Sequence, residues 1–396
     1  MRTPDTTLVT ETRLPTGKPK IRFDRNEFAG AFGDIGTDVP LLVGMALAAG
    51  LDGTSVLVMF GTMQLVTGIT YRMPMPVQPL KAMAAIVIAQ QAPAAMLYGA
   101  GLAIGLVMLV LAATGLLDWL GRVVPRCVVR GIQLGLGLQL ASVALGKFVQ
   151  ADGLYGYALA AGSFIITILL LGNRRFPAAL LVVLLGLVYA MLFNWEVGVA
   201  RSFGFRLPSL HIPQPADILT GFLVLALPQI ALSLGNSVLA TWQLAKDLFP
   251  DRQLTIRKLG LTYALMNLVN PWFGGVPTCH GSGGLAGHFT FGGRTGGSVV
   301  IYGSLFVLLG LFFGAGFDQV AKAFPLPMLG VILLFEALAL IWVVREIATS
   351  RTEFPIAVLV GLLAVGLPYG YVIGLVVGTA LFYLGGRTHL VSPDAV

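Results

Sequence analysis

Lys81 closes Pro74-Met75-Pro76-Val77-Gln78-Pro79-Leu80-Lys81, a polar, proline-rich interruption of a long apolar run. An ammonium at that depth costs about 2.5–3.5 kcal/mol to insert. It must face a cavity or snorkel along its stem to an interface. Gln78 and the N–H groups of Leu80, Lys81 and Ala82 sit at the start of the helix-like segment Leu80–Gln90, and together with the ammonium they would attract an anion. A second interruption, Pro277-Thr278-Cys279-His280-Gly281-Ser282-Gly283-Gly284, opens the segment Ser282–His288. Ser282, Gly283 and Gly284 there let backbone N–H groups approach a ligand without Cβ interference. Close packing of small residues between helices is the competing account. His280 either donates to a substrate and shuttles protons or is a satisfied packing residue.

Asp34 and Asp38 lie four apart within Gly33-Asp34-Ile35-Gly36-Thr37-Asp38, on one face of the first apolar segment, and Glu336 lies in the twelfth. Carboxylates at this depth face cavities and relay protons. The alternative for Asp34 is a structural clamp held by helix N-termini or Lys81. Gln229, Asn236 and Ser237 in the eighth segment suit an oxygen-rich substrate, or hydrogen bonds between helices. No enzyme emerges from these residues. The Ser282 turn lacks the first glycine of G-x-S-x-G and a triad partner. Cys127 and Cys279 are isolated, so neither a disulfide framework nor a metal site is expected. No catalytic residue, metal or cofactor is therefore assigned.

These residues are carried by a chain of 396 residues that is 56% hydrophobic and 11% charged. Soluble domains carry about 25% charged residues, so this chain dissolves in a bilayer. Apolar runs of membrane-spanning length recur throughout. The first half reads as Phe28–Ala49, Thr54–Tyr71, the broken Pro79–Gln91, Ala94–Leu117, Val128–Val149, Tyr157–Gly172 and Phe176–Phe193. The second reads as Ile218–Leu244, Leu254–Pro271, the broken Ser282–Phe289, Gly296–Gly314, Leu326–Val344, Phe354–Pro368 and Val372–Gly385. The expected fold is an all-α polytopic membrane protein with 14 transmembrane segments. Seven is odd, so the halves 28–193 and 218–386 must be inverted repeats, each with a half-helix preceded by a short extended segment. A tail (1–27), a linker (194–217) and a second tail (387–396) complete the division. Nothing before Phe28 has the apolar core of a cleavable leader.

Charge placement orients the chain. Of 25 Lys and Arg, only Lys147, Arg201, Arg206 and Lys322 fall on the side of the linker, and Lys81 falls within the membrane. The rest cluster with the termini, which the positive-inside rule places in the cytoplasm. The net charge of +7 is thereby explained without a nucleic-acid partner.

The chain resembles the molybdate transporter family of plants and bacteria, a branch related to the sulfate permeases. The resemblance rests on Phe28-Ala-Gly-Ala-Phe-Gly-Asp-Ile-Gly-Thr37, the Pro74–Lys81 stretch, Leu232-Ser-Leu-Gly-Asn-Ser-Val238 with Asp247-Leu-Phe-Pro250, and Cys279–Gly287 running on to Phe291-Gly-Gly-Arg-Thr-Gly-Gly297. It implies the seven-plus-seven fold shared with uracil permeases, in which a core domain (28–117 and 218–314) moves against a gate domain (128–193 and 326–386). It also implies an imported tetrahedral oxyanion (molybdate, sulfate or tungstate), a homodimer through the gate, and a multi-pass protein of a bacterial inner membrane. Two positions depart from the family pattern: Asp38 stands where an apolar or aromatic residue is expected, and Glu336 stands a turn before the expected acid position near Ala339. Importing a dianion against 100 mV costs about 4.6 kcal/mol, so protons are expected as partners, carried by Asp34, Asp38, Glu336 or His280. A nucleobase permease on the same fold and a non-transporting scaffold or anion sensor are the alternatives.

Overall fold

The computed structural model describes residues 20–117, 119, 123–171, 178–193 and 203–385. The tails at 1–19 and 386–396 and linker residues 194–202 lie outside them. The first span is α1 (Arg25–Ala31) and α2 (Ile35–Ala49), followed by α3 (Gly53–Tyr71), strand β1 (Gln78–Pro79), α4 (Lys81–Gln90), α5 (Ala94–Thr114), α6 (Arg126–Val143), α7 (Gly153–Leu169) and α8 (Ala178–Phe193). The second half opens with α9 (Pro215–Gly221), α10 (Leu227–Leu232) and α11 (Thr241–Leu248), joined by π-helical turns into one long rod. There follow α12 (Ile256–Val269), β2 (Thr278–Cys279), α13 (Ser282–Thr290), α14 (Gly297–Ala323), α15 (Leu326–Trp342), α16 (Glu353–Gly366) and α17 (Gly370–Gly385).

Fourteen segments in two sets of seven result. Among the described residues, seven helical stretches are long and apolar enough to cross a membrane, by length and composition; three of them, Arg25–Ala49, Arg126–Phe148 and Pro215–Leu232, run across a break or a π-helical turn. The ends agree with the sequence reading to within a few residues, with three informative exceptions. The first segment is not one helix: it breaks between Ala31 and Ile35, where the Gly33 backbone lies against the backbone of Gly287. A Cβ at either glycine would collide with the other strand of backbone, which is why the crossing needs both. The eighth segment begins at Pro215 rather than Ile218. The eleventh runs to Ala323 rather than Gly314, with a kink at Phe313 (φ −138°, ψ 19°).

The two breaks meet. β1 and β2 pair antiparallel, with Gln78 opposite Cys279 and Pro79 opposite Thr278. Pro79 has no N–H to give, and the ladder is extended instead by Leu80 N–H donating to the Pro277 carbonyl at 3.0 Å. Antiparallel pairing of these strands is compatible with the inverted halves expected from the sequence. An amide from the preceding helix holds each break. Gln64 on α3 donates to the Val77 carbonyl (2.8 Å) and accepts its N–H (3.2 Å). Asn267 on α12 does the same to Thr278 (2.7 and 2.9 Å). Both amides are fully buried, where an unpaired peptide group would cost about 1–3 kcal/mol. Neither was singled out by the sequence analysis. Their signal was an amide 13 or 11 residues before each break.

Around the crossed strands, α3 packs on α14, α5 on α12 and α9, and α1 on α14. A second group forms where α6 packs on α15 and α16, and α16 on α17. An apolar crevice of about 400 Å³ runs between α2, α3 and α14 on one side and α8 and α15 on the other.

Candidate functional site

Lys81 is the first residue of α4, with Leu80 as its N-cap. Its Nζ lies 3.5 Å from Glu336 Oε2 on α15, and the two side chains are 23% and 17% exposed. Lys81 and Glu336, expected separately as anion ligand and proton carrier, are therefore brought together as an ion pair between the two helix groups. Both side chains are therefore partly accessible despite the apolar surroundings.

The N-terminus of α4 corrects the expectation of free N–H groups at Leu80 and Ala82. Leu80 N–H is spent on Pro277, and Gln229 Oε1 accepts from Ala82 (2.8 Å) and Met83 (3.3 Å). The physical reason is that the first N–H groups of a buried helix need acceptors, and a neutral amide supplies one. Gln229 Nε2 donates to Ser233 Oγ (2.9 Å), which bonds the Tyr263 hydroxyl (2.8 Å). Gln229 is thus built as a cap with its orientation set from behind. Ser237 is buried on the π-helical turn Ser233–Ala240, within hydrogen-bond reach of the Cys279 thiol. The side chain of Asn236 lies outside the described residues.

The N-terminus of α13 is different. Its N-cap is Gly281, and among the described residues no acceptor bonds the N–H of Gly283 or Gly284. Ser282 is partly exposed and Gly283 is exposed. Ala82 and Met83 on α4 share the Gln229 acceptor, whereas Gly283 and Gly284 on α13 have no such acceptor among the described residues.

Asp34 stands at the N-cap position of α2, makes no side-chain capping bond there, and is buried. Both of its carboxylate oxygens accept from Gln78 Nε2 at 2.7 Å. Gln78 in turn lies over Gly281, and Asp34 over Gly284, where an added Cβ would fall onto Gln78 Oε1 and Asp34 Oδ2 respectively. Gln78, rather than Lys81, is the hydrogen-bond partner that holds Asp34. Gly281→Ala is expected to force Gln78 off Asp34 and to destabilise the protein by about 2 kcal/mol, as overpacking does. The thermal midpoint of the purified variant, compared with wild type, checks this.

Asp38 is fully buried and turned toward α14, where its Oδ2 accepts from Tyr302 Oη at 3.2 Å. Its Oδ1 has no partner among the described residues. His280 has both ring nitrogens occupied. The Pro76 carbonyl, 3.0 Å from Nδ1, can only accept, so Nδ1 carries the proton. Nε2 then accepts from the Thr262 hydroxyl at 2.7 Å. The ring therefore ties the first break to α12.

One residue was missed because it sat in the segment read as a polar tail. Glu27, on α1, is fully buried. Its Oε1 accepts from the N–H groups of Arg294 (3.0 Å) and Thr295 (2.8 Å), and its Oε2 from that of Ser298 (2.9 Å). A carboxylate at the start of α14 is favoured by the helix dipole. Glu27→Gln keeps the shape but turns an amide donor toward one of these N–H groups. A loss of about 1–2 kcal/mol is expected, read as a lower thermal midpoint with unchanged substrate affinity.

Comparison with known proteins adds to this geometry. A family model described as "Molybdate transporter of MFS superfamily" matches residues 26–140 and 221–340, which include both breaks, Lys81 and Glu336. Molybdate transporter 2 of Arabidopsis thaliana is 34% identical over 378 residues, covering 83% of this chain and 81% of its own. Molybdate transporter 1 of Chlamydomonas reinhardtii is 28% identical over 471 residues, covering 89% and 90%. Among solved structures, the transmembrane domain of a cyanobacterium bicarbonate transporter, BicA, aligns with a TM-score of 0.66 at 19% identity, covering 91% of this chain and 98% of its own. Murine Solute Carrier 26 family member A9 in the inward-facing state aligns at 0.68 and 13%, covering 94% and 70%. At these identities the structural likeness carries the fold alone.

Proposed function

Because the chain belongs to the molybdate transporter family, we propose that it is a secondary transporter importing a tetrahedral oxyanion, molybdate first and sulfate or tungstate next. The observation that carries this reading is the open start of α13 beside the Lys81–Glu336 pair. Unpartnered N–H groups, a helix dipole and an ammonium all favour negative charge.

In this reading the anion rests against Gly283, Gly284 and Ser282, with Lys81 as its counter-charge. Gln229 and Leu80 shape the site from the α4 side, and Gln78 and Asp34 keep the crossed breaks in register. The body 25–117 with 215–313 is the core. The body 126–193 with 326–385 is the gate, and the kink at Phe313 falls at their boundary. Lys81 belongs to the core and Glu336 to the gate, so a change in their pairing accompanies any rocking of one body on the other. A proton on Glu336 frees Lys81 for the anion. Anion and proton then enter together, which offsets the electrical cost of moving a dianion inward. Asp34 and Asp38 are further carriers on the same path. Both termini are cytoplasmic by the distribution of Lys and Arg.

Flux into proteoliposomes of labelled molybdate, sulfate and uracil tests the reading. Uptake of the first, inhibited by excess sulfate or tungstate, is expected. Uptake of uracil alone would make the protein a nucleobase permease, and uptake of none would make it a non-transporting membrane protein.

A further inference from the structure

We propose that the crevice between α2, α3 and α14 on one side and α8 and α15 on the other binds the acyl chain of a membrane phospholipid. Its volume is about 400 Å³, and none of the residues lining it carries a side-chain nitrogen or oxygen. Packed protein interiors hold few voids larger than a water molecule, and an apolar cavity of about 150 Å³ already stays dry and takes up hydrocarbon. Water finds no side-chain hydrogen-bond partner in this crevice, and an empty one forfeits the dispersion contacts of every lining group. Hydrocarbon meets both conditions. A way in exists from the bilayer. Of the lining residues, Leu184 and Met191 on α8 and Leu309 on α14 are 51%, 56% and 41% exposed, and exposure on a membrane-spanning helix is exposure to lipid. Val183, Leu329 and Ile332, in the same lining, are buried. A chain entering past the exposed residues therefore leaves the surrounding lipid and packs between the two helix groups.

The linker-side end of the crevice offers a partner for the phosphate of the same lipid. The linker runs along α14 there, with Gly204 N–H donating to the Phe312 carbonyl at 2.9 Å. Ala321 and Ala323 belong to the lining, and Lys322 between them is exposed. Lys322 forms no ion pair among the described residues. Asp318, one turn earlier, accepts from the Gly53 N–H at 2.9 Å. An ammonium at the membrane surface attracts anionic headgroups, so the phosphate rests at Lys322 and the chain descends beside α14.

The test reconstitutes the full chain in vesicles of phosphatidylglycerol that carries a diazirine on one acyl chain. After irradiation, mass spectrometry of the digest locates the labelled residues. Label is expected on the buried Val183, Leu329 or Ile332, as well as on Leu106 and Leu265, whose exposed side chains any surrounding lipid reaches. Leu184→Trp and Leu305→Trp fill the crevice from opposite walls. Each should lower the label at the buried positions about tenfold for every two methylenes displaced, with Leu106 and Leu265 labelled as before. Lys322→Gln should lower it about fivefold, and an unchanged value there overturns the headgroup contact. Label confined to exposed positions in wild type overturns the acyl-chain site. So does label at the buried positions that persists undiminished in both Trp variants, once their thermal midpoints show them folded. No transport is measured, so either result leaves the oxyanion reading where it stands.

Discussion

Lys81→Ala is expected to weaken molybdate binding on the order of a hundredfold, about 2.8 kcal/mol. The variant loses the ammonium at the start of α4, and it also leaves Glu336 behind, 3.5 Å from where that charge stood. The remaining carboxylate then faces an incoming dianion without compensation. A second substitution separates the two effects. Glu336→Gln on top of Lys81→Ala removes the like charge and should recover part of the affinity, so the double variant binds more tightly than the single one. Groups in direct contact are non-additive in this way. Calorimetric titration of the purified variants with molybdate makes the measurement. Unchanged affinity in Lys81→Ala would mean that the ammonium serves only its partner. Strict additivity would mean that the pair does not act as a unit on the ligand.

Glu336→Gln alone is expected to separate exchange from accumulation. Gln resembles the protonated acid in shape and charge, so Lys81 is permanently free of a competing carboxylate. Molybdate should bind the variant at alkaline pH at least as tightly as it binds wild type, and labelled anion should still exchange across the membrane. Accumulation against a gradient should be abolished, because no proton leaves position 336 on the far side and the electrical cost of the dianion stays uncompensated. In wild type, uptake is expected to rise as external pH falls and to collapse with a protonophore. In the variant, uptake by exchange is flat with pH. Counterflow and pH-jump assays in proteoliposomes read both properties. Retained, pH-driven accumulation in Glu336→Gln would transfer the role to Asp34 or Asp38. The Asn variants of those residues would then be compared in the same assay.

Much of this protein was legible from local chemistry. Fourteen apolar stretches follow from composition alone, since a chain with 11% charged residues has little else to do but cross a bilayer. The breaks at Pro74–Pro79 and Pro277–Gly284 were visible because proline and glycine interrupt a helix wherever they stand. Lys81, Asp34 and Glu336 stood out because ionisable groups are costly at membrane depth.

The partners of those groups were decided by the tertiary structure alone. Lys81 and Glu336 are 255 positions apart, Ala82 and Gln229 are 147, and Asp34 and Gln78 are 44. A buried polar group must find a partner, but nothing local says which of several distant ones it takes. The Gln64 and Asn267 clamps were overlooked for the same reason, because a single amide carries no periodicity, and Glu27 because it lay in the segment read as a polar tail. Helices such as Ala94–Thr114 are apolar on every side, so their sequence does not say which face turns inward. The crossing of Gly33 on Gly287 and the open side of Gly283 are likewise properties of packed backbones. Sequence marked where the membrane segments had to break, and packing determined that Gln229 caps α4 while the N–H groups of Gly283 and Gly284 on α13 are left without an acceptor among the described residues.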